Sequence, residues 1–315
     1  MIAWFERILL TTTYPYQTCA PYLYGGEPLL CKNKVKFFLE AIFDICNKLN
    51  LKLYSTLVTN GYYADTTTIG TLATNGLSVV HYTLDGPPAT HNQRRPLCGG
   101  KKTFATVFNN MISVMNAFPQ LEIECRINFD RSNLKYIPEL LNLLAKNDPN
   151  RKISLYFNYI NQTMTQAKSG CSFCSRNALT DNKEIASSLL FLYKEAKQHG
   201  YPILDFYSKG PCMTVARNAC LIDPLGDIYK CVDMIGCKSM CLGNILDENY
   251  NPLYHTFMSA PAAQKCFYTD CPFIPLCAGG CAMEPFIADG DPFQVACHRQ
   301  MFKLIHNNLL PLRFA

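Results

Sequence analysis

Residues 51–87 read LKLYSTLVTNGYYADTTTIGTLATNGLSVVHYTLDGP. Two β-rich runs stand in this stretch, Leu51 to Val58 and Leu77 to Leu84. Each stops at turn-forming residues, Thr59-Asn60-Gly61 and Asp85-Gly86-Pro87. Working outward, Leu121 to Phe129 and Ile153 to Ile160 read the same way. Helical patterns lie between the runs. Across residues 34–49 the apolar positions Val35, Phe38, Leu39, Ile42, Phe43, Cys46 and Leu49 form a stripe at helical spacing. Phe104 to Phe118 and Leu134 to Lys146 are similar. Strands alternating with helices imply a parallel sheet. Arg7 to Tyr14 and Tyr22 to Tyr24 bring the expected strands to six. The fold class expected is α/β: a partial (β/α)6 TIM-type barrel, incomplete at the N-terminus, with its chemistry at the carboxyl ends of the strands.

The chain has 315 residues, 49% of them hydrophobic, enough for a sizeable core and too many for disorder. Its formal net charge is +5, with the basic residues scattered rather than blocked. Nothing there points to nucleic acid or a membrane surface as partner. The opening MIAWFERILLTTTYPY holds a short apolar run, Ile8 to Leu10, too brief for a signal sequence or a membrane span. It reads as part of a strand, and a cytoplasmic location is expected. Past residue 165 the character changes. One helix is expected from Lys183 to His199, after which Cys, Gly and Pro become dense. The domains expected are a truncated barrel over 1–165, a helical connection over 166–205 and a cysteine-rich module over 206–315.

The chain carries 17 cysteines, an odd number in a long chain with no secretion signal, so metal is a better account than disulfides. Eight stand out: Cys212, Cys220, Cys231, Cys266, Cys271, Cys277, Cys281 and Cys297. They lie in GPCMTVARNACLIDPLGDIYKC, KCFYTDCPFIPLCAGGCAM and VACHR. Thiolates suit iron–sulfur clusters and zinc, and eight would complete two four-cysteine sites. Zinc sites usually show paired C-x2-C knuckles, whereas the spacings here are x4, x5 and x3. Gly226 reads as a tight turn between two short strands that would bring Cys220 and Cys231 together, and Gly279 and Gly280 would let the backbone pass close to a cluster. Cys31, Cys46 and Cys125, on helix or strand patterns, read as small buried hydrophobes. Cys171 and Cys174 form a C-x2-C outside the main set; extra ligands, a redox pair and free thiols all remain open.

These motifs resemble those of radical S-adenosylmethionine (SAM) enzymes with a C-terminal SPASM domain, the peptide- and protein-modifying kind that includes the anaerobic sulfatase-maturating enzymes. Tyr24-Gly25-Gly26-Glu27-Pro28 resembles the family's GGEP motif, which implies that the backbone and Glu27 hold the amino group of SAM. Tyr82 to Pro88 with His91 and Arg94-Arg95-Pro96 resembles its S-L-D-G-P…H…R-R-P stretch, and Val58-Thr59-Asn60-Gly61 its TNG strand end. Arg126 to Phe129 resembles a later strand whose polar residues face SAM. The resemblance implies cofactor contacts at Gly25, Gly26, Glu27, Pro28, Asn60, Thr83, Asp85 and Arg126. It implies one auxiliary 4Fe-4S cluster on Cys212, Cys220, Cys231 and Cys281, and a second on Cys266, Cys271, Cys277 and Cys297. Cys266 departs from the family, which has x2 before the next cysteine. Asp233, two residues after Cys231, is a candidate catalytic base. A precursor peptide or protein substrate and a flavodoxin- or ferredoxin-type electron donor are the partners implied.

One signature is missing. The family binds a third 4Fe-4S cluster through C-x3-C-x2-C just after the first strand, and its open iron takes SAM for cleavage to a 5′-deoxyadenosyl radical. Upstream of Glu27 this sequence has only Cys19. If Arg7 to Tyr14 is a strand, too few residues separate it from the strand at Tyr22 for a parallel crossover. Either the two strands pair as an antiparallel hairpin, or a cluster loop and a helix have been lost between them; an internal deletion, in the gene or in its annotation, is the expectation that follows. The activity expected is hydrogen abstraction in peptide maturation, thioether formation being one example, with this chain itself inactive. A non-catalytic iron–sulfur or peptide-binding relic and a zinc-stabilised scaffold are the alternatives.

Overall fold

The structure is a computed structural model describing residues 1–11, 16–160, 177–203, 212–247 and 250–314, without the side chains of 312–314. Cys171 and Cys174 lie outside the described residues. The chain divides into two compact units: Ile2–Tyr159 with Phe191–Leu204, and Met1 with Ile160–Leu190 and Asp205–Ala315.

The first unit opens with helix α1 (Ile2–Thr11), short strands β1 (Thr18–Cys19) and β2 (Tyr22–Leu23), and α2 (Lys32–Lys48). There follow β3 (Lys52–Leu53), β4 (Ser55–Thr59), α3 (Thr66–Ala73), β5 (Leu77–Thr83), α4 (Pro88–Arg94), α5 (Phe104–Ala117), β6 (Glu122–Phe129), α6 (Ile137–Asn147) and β7 (Ile153–Tyr159). A five-stranded sheet runs in the order β2-β4-β5-β6-β7 with every pairing parallel, and β1 pairs separately with β3. The α/β class and the parallel sheet therefore hold. Helix α2 buries Val35, Leu39, Ile42, Ile45 and Cys46, and α6 buries Ile137, Leu140, Leu141 and Leu144. Each large aliphatic side chain so buried contributes about 1.5–3 kcal/mol relative to exposure.

The first expected strand is not one. Residues 7–11 belong to α1, and 12–14 lie outside the described residues. Ile2, Phe5 and Leu9 pack against the cluster of Cys19, Ile42, Ile45 and Cys46. That i, i+3, i+7 set outweighs the contiguous run Ile8 to Leu10, because it gives the segment a face to lay on α2. Glu6 also pairs with Lys48 at 2.8 Å. With a helix before β2, the geometric ground for an internal deletion disappears. Cys31 also departs from expectation: it ends a 3-10 turn over Pro28–Cys31 and is exposed, whereas Cys46 and Cys125 are buried.

In the second unit, α7 (Asn182–Gln198) begins near where a helix was expected; the unit boundary passes through it. Beyond it lie β8 (Leu221–Ile222), β9 (Asp227–Tyr229) and β10 (Gly243–Asn244) in an antiparallel sheet of order β10-β9-β8. Gly226 makes the β8–β9 turn at φ +86°. Short helices α8 (Pro252–Met258), α9 (Pro261–Cys266), α10 (Ile274–Cys277) and α11 (Met283–Asp289) precede the longer α12 (Arg299–Phe314). Gly280 lies at φ +89°, and a Cβ there would stand 1.9 Å from the carbonyl oxygen of Ala296. What comes close to this glycine is the backbone next to Cys297.

Gly280→Ala is expected to destabilise this unit by at least the about 1–3 kcal/mol of strain at a non-glycine left-handed position. The clash adds to that cost by pushing the Ala296–Cys297 backbone away from Cys277 and Cys281. A denaturant midpoint unchanged from the parent chain would contradict this packing.

Candidate functional site

Because the strands of the main sheet run parallel, their carboxyl ends share one edge. Glu27 organises its first part. Its Oε1 accepts from Leu29 N at 3.1 Å and Thr59 Oγ1 at 2.7 Å, and its Oε2 accepts from Asn60 N at 2.7 Å. The carboxylate thereby caps the 3-10 turn and ties it to the end of β4. Gly25 and Gly26, just before it, are exposed, and a Cβ on either would meet nothing within 4 Å. The Asn60 side chain closes its own turn, Oδ1 accepting from Tyr62 N at 2.9 Å.

Along the same edge, Thr83 and Asp85 are buried at the end of β5. Asp85 Oδ2 accepts from Arg95 Nε at 2.7 Å, and its Oδ1 from Asn128 Nδ2 at 3.2 Å. Arg126 Nε donates to Asn128 Oδ1 at 2.8 Å, so Asn128 links Arg126 to Asp85. Arg94 lies 2.9 Å from Asp130 and 3.6 Å from Asp85. His91 is only 1% exposed. Its Nδ1 accepts from the Asp85 N–H at 3.3 Å, so its proton sits on Nε2, 3.2 Å from Thr103 Oγ1, which in turn donates to Arg95 O at 2.5 Å. Burial lowers the His91 pKa to about 4, with Arg95 and Arg94 adding to the effect against Asp85. Thus His91 is a neutral strut under the Asp85 turn.

In the second unit the cysteines fall into two groups. Cys231 lies within electrostatic reach of Cys212 and Cys281. Lys230 lies within reach of both Cys220 and Cys212. In the other group, Cys266 is within reach of Cys297 and Cys271, and Cys277 within reach of Cys266 and Cys297. Burial pushes the Cys231 and Cys281 thiols up to about 12 and about 11. Among the described residues no three His, Cys, Asp or Glu side chains converge tightly enough to hold one metal ion. A four-iron cluster spreads its thiolates around a cube of iron and sulfide and so suits a looser grouping. Asp233 sits on a 3-10 turn (Val232–Met234); its backbone N–H bonds the Cys231 sulfur and its carboxylate lies within electrostatic reach.

Cys19 is 7% exposed, and its thiol is held near Cys46 in the apolar cluster under α1. The sequence reading passed over Cys237 and Cys241, a C-x3-C beside the second sheet, both partly exposed. Their spacing alone was the available signal. Asn128 was included only within the Arg126 to Phe129 stretch, and strand register is what places it beside Asp85.

No family model matches the chain. In sequence it is 23% identical, over 284 residues, to a cysteine-type anaerobic sulfatase-maturating enzyme of Clostridium perfringens (strain 13 / Type A), covering 84% of this chain and 74% of that protein. An enzyme of the same description from another strain of that species is 35% identical over 92 residues, 28% of this chain and 24% of the relative. Among solved structures, anSMEcpe with bound AdoMet superposes with a TM-score of 0.70 at 19% identity, over 99% of this chain and 84% of that one. The same protein with AdoMet and the Cp18Cys peptide gives 0.69 at 20% identity, over 99% and 89%. Streptococcus suis SuiB gives 0.54 at 15% identity, over 95% and 70%. The α/β partial barrel followed by a cysteine-rich region is the fold these structures share.

The depressed His91 pKa sets a pH dependence. The unfolded chain binds a proton at this residue below about 6.5 that the folded chain refuses until about 4, so stability is full above pH 6.5 and falls between those values. The loss from this residue is on the order of 3 kcal/mol. Replacing His91 by Leu is expected to lower stability at pH 7 and to remove this component, as read from urea midpoints at several pH values. A wild-type midpoint that does not fall from pH 7 to 4.5 relative to the variant would contradict the neutral strut.

Proposed function

We propose, for a chain related in sequence and fold to the radical SAM sulfatase-maturating enzymes with a SPASM module, that it is a peptide- or protein-modifying maturase whose C-terminal unit holds two auxiliary 4Fe-4S clusters. The observation that carries this reading is the pair of cysteine groups. Cys212, Cys231 and Cys281 lie in mutual reach, with Cys220 joined to them through Lys230. Cys266, Cys271, Cys277 and Cys297 form the other group. The relatives named above lend it the chemistry: SAM supplies the hydrogen-abstracting radical, and the auxiliary clusters take up electrons.

On this reading the exposed Gly25-Gly26 backbone receives the SAM ammonium, while Glu27 and Pro28 shape the turn that presents it. Asn60, Thr83, Asp85 and Arg126 line the same edge, where Arg126, held by Asn128, is the residue positioned to meet an anionic group. Asp233, beside Cys231, is the candidate base. A peptide segment is the substrate, by kinship with the peptide-bound relative. A small flavodoxin or ferredoxin is the electron donor.

The chain by itself is not expected to cleave SAM. That chemistry needs three thiolates on one loop, and Cys19 is buried among apolar side chains. A non-catalytic iron–sulfur or peptide-binding role is the second reading this observation favours.

Anaerobically reconstituted protein is expected to be brown and to carry about eight irons, with Cys231→Ala or Cys277→Ala losing about four. A colourless protein with one or two zinc ions would overturn the cluster assignment. With SAM and dithionite, 5′-deoxyadenosine is expected to stay at background. Supplying a strand and a C-x3-C-x2-C loop in cis ahead of α1 is expected to start its production. Turnover by the unmodified chain would show that other thiols serve, whereas an inert fusion with full iron would favour the non-catalytic reading.

A further inference from the structure

Lys230 is a lysine only 1% exposed. Its Nζ donates to two main-chain carbonyls, Ala216 O and Ala219 O, each at 2.6 Å. Among the described residues no carboxylate pairs with it. The groups of opposite potential within its reach are the thiols of Cys220 and Cys212. An ammonium has three donors, so one N–H is left over. Thr214, in the same 212–220 segment, is also buried, and its Oγ1 has no hydrogen-bond partner among the described residues. A buried cation with two carbonyls and no counter-charge is costly, and a second unsatisfied buried hydroxyl adds to that cost. Both debts point to an anionic, acceptor-rich group among Cys212, Cys220 and Cys231. A four-iron cluster on four thiolates is such a group, since it carries net negative charge and its sulfurs accept hydrogen bonds.

We propose that Lys230 is the built-in counter-cation of the cluster held by Cys212, Cys220, Cys231 and Cys281. It pins the 216–219 turn that lies between Cys212 and Cys220 and sets one positive charge against the cluster, which raises that cluster's reduction potential. The inference rests on the cluster reading above and deepens it. Reduction adds a negative charge, and a nearby buried cation stabilises that state more than the oxidised one. Since Lys230 acts through the turn and the field, it is a positioning residue. The electron-accepting bias belongs to this cluster, because the thiols within reach of Lys230 are those of Cys220 and Cys212.

The test uses the full chain, reconstituted anaerobically, with iron counted before potentials are measured. Spectroscopic redox titration of the parent is expected to resolve two midpoints. In Lys230→Met, one midpoint is expected to move to more negative potential while the other stays. Lys230→Arg, which keeps the charge, should remain near the parent. A full iron complement with both midpoints unchanged in Lys230→Met would overturn the proposal and leave the cluster reading intact. No iron in the parent would remove the cluster reading itself. Should Lys230→Met fail to retain iron, chelator challenge of Lys230→Arg and Lys230→Gln decides. Slower iron loss from the arginine variant supports the counter-cation, and equal loss from both overturns it, because then only the shape of the turn matters.

Discussion

Parallel strands cannot be joined by a tight turn. Each must be followed by a crossover long enough to return the chain to the start of the sheet. In this protein the constraint fixes where polar chemistry can gather. The ends of β2, β4, β5 and β6 fall on one edge, and each is followed by a turn whose backbone groups need partners. Side chains supply many of them. Glu27 satisfies three donors across two turns, Asn60 closes its own, and Asn133 donates to the carbonyls of Asp85 and Asn128 at 2.8 and 2.9 Å. The turns along this edge are therefore tied to one another by side-chain hydrogen bonds.

Charge at this edge is largely self-compensated. Asp85 and Asp130, 4% and 1% exposed, face Arg95 and Arg94. Carboxylates held this way act chiefly as scaffold, because removing one partner would strand a buried charge. The neutral His91 follows the same logic: its ring accepts from one backbone N–H and donates its Nε2–H to Thr103 Oγ1, and a positive charge there would oppose Arg94 and Arg95. The S-L-D-G-P…H…R-R-P resemblance thus reads, in this fold, as a single hydrogen-bonded unit around the end of β5.

The sheet was legible in the sequence because each long strand is an apolar run ended by turn residues, and the helices between have clean stripes. α1 was not, because its stripe of Ile2, Phe5 and Leu9 is overprinted by the contiguous Ile8 to Leu10, and no residue of the helix is fully buried. A helix that only rests on another shows weak periodicity. That the C-terminal cysteines lie near one another in two groups followed the spacing and the resemblance, because short spacings keep neighbouring members close along the chain. The network of Asp85, Asn128 and Arg126 was not, because it depends on β5–β6 register, and no local pattern in the sequence encodes which residue lies opposite which.

The C-terminal unit obeys a different rule from the sheet. Its strands are two or three residues long and four of its helices have seven or fewer, so regular secondary structure cannot carry its stability. Its apolar contacts include single ring pairs, such as Phe273 stacked on Phe302 at 5.7 Å between centroids. The backbone instead turns repeatedly through left-handed positions at Ala278, Gly279 and Gly280. Such a trace is costly for a chain without a large core. A cluster bonded to several segments at once would hold them together, and its binding free energy would then be folding free energy. Raised thiol pKa values fit that economy: burial keeps these sulfurs protonated and neutral, and a cluster, on the proposed reading, would take them as thiolates. A buried lysine among them is costly by itself and would be stabilised beside such an anion, which extends the same economy to the polar interior of this unit.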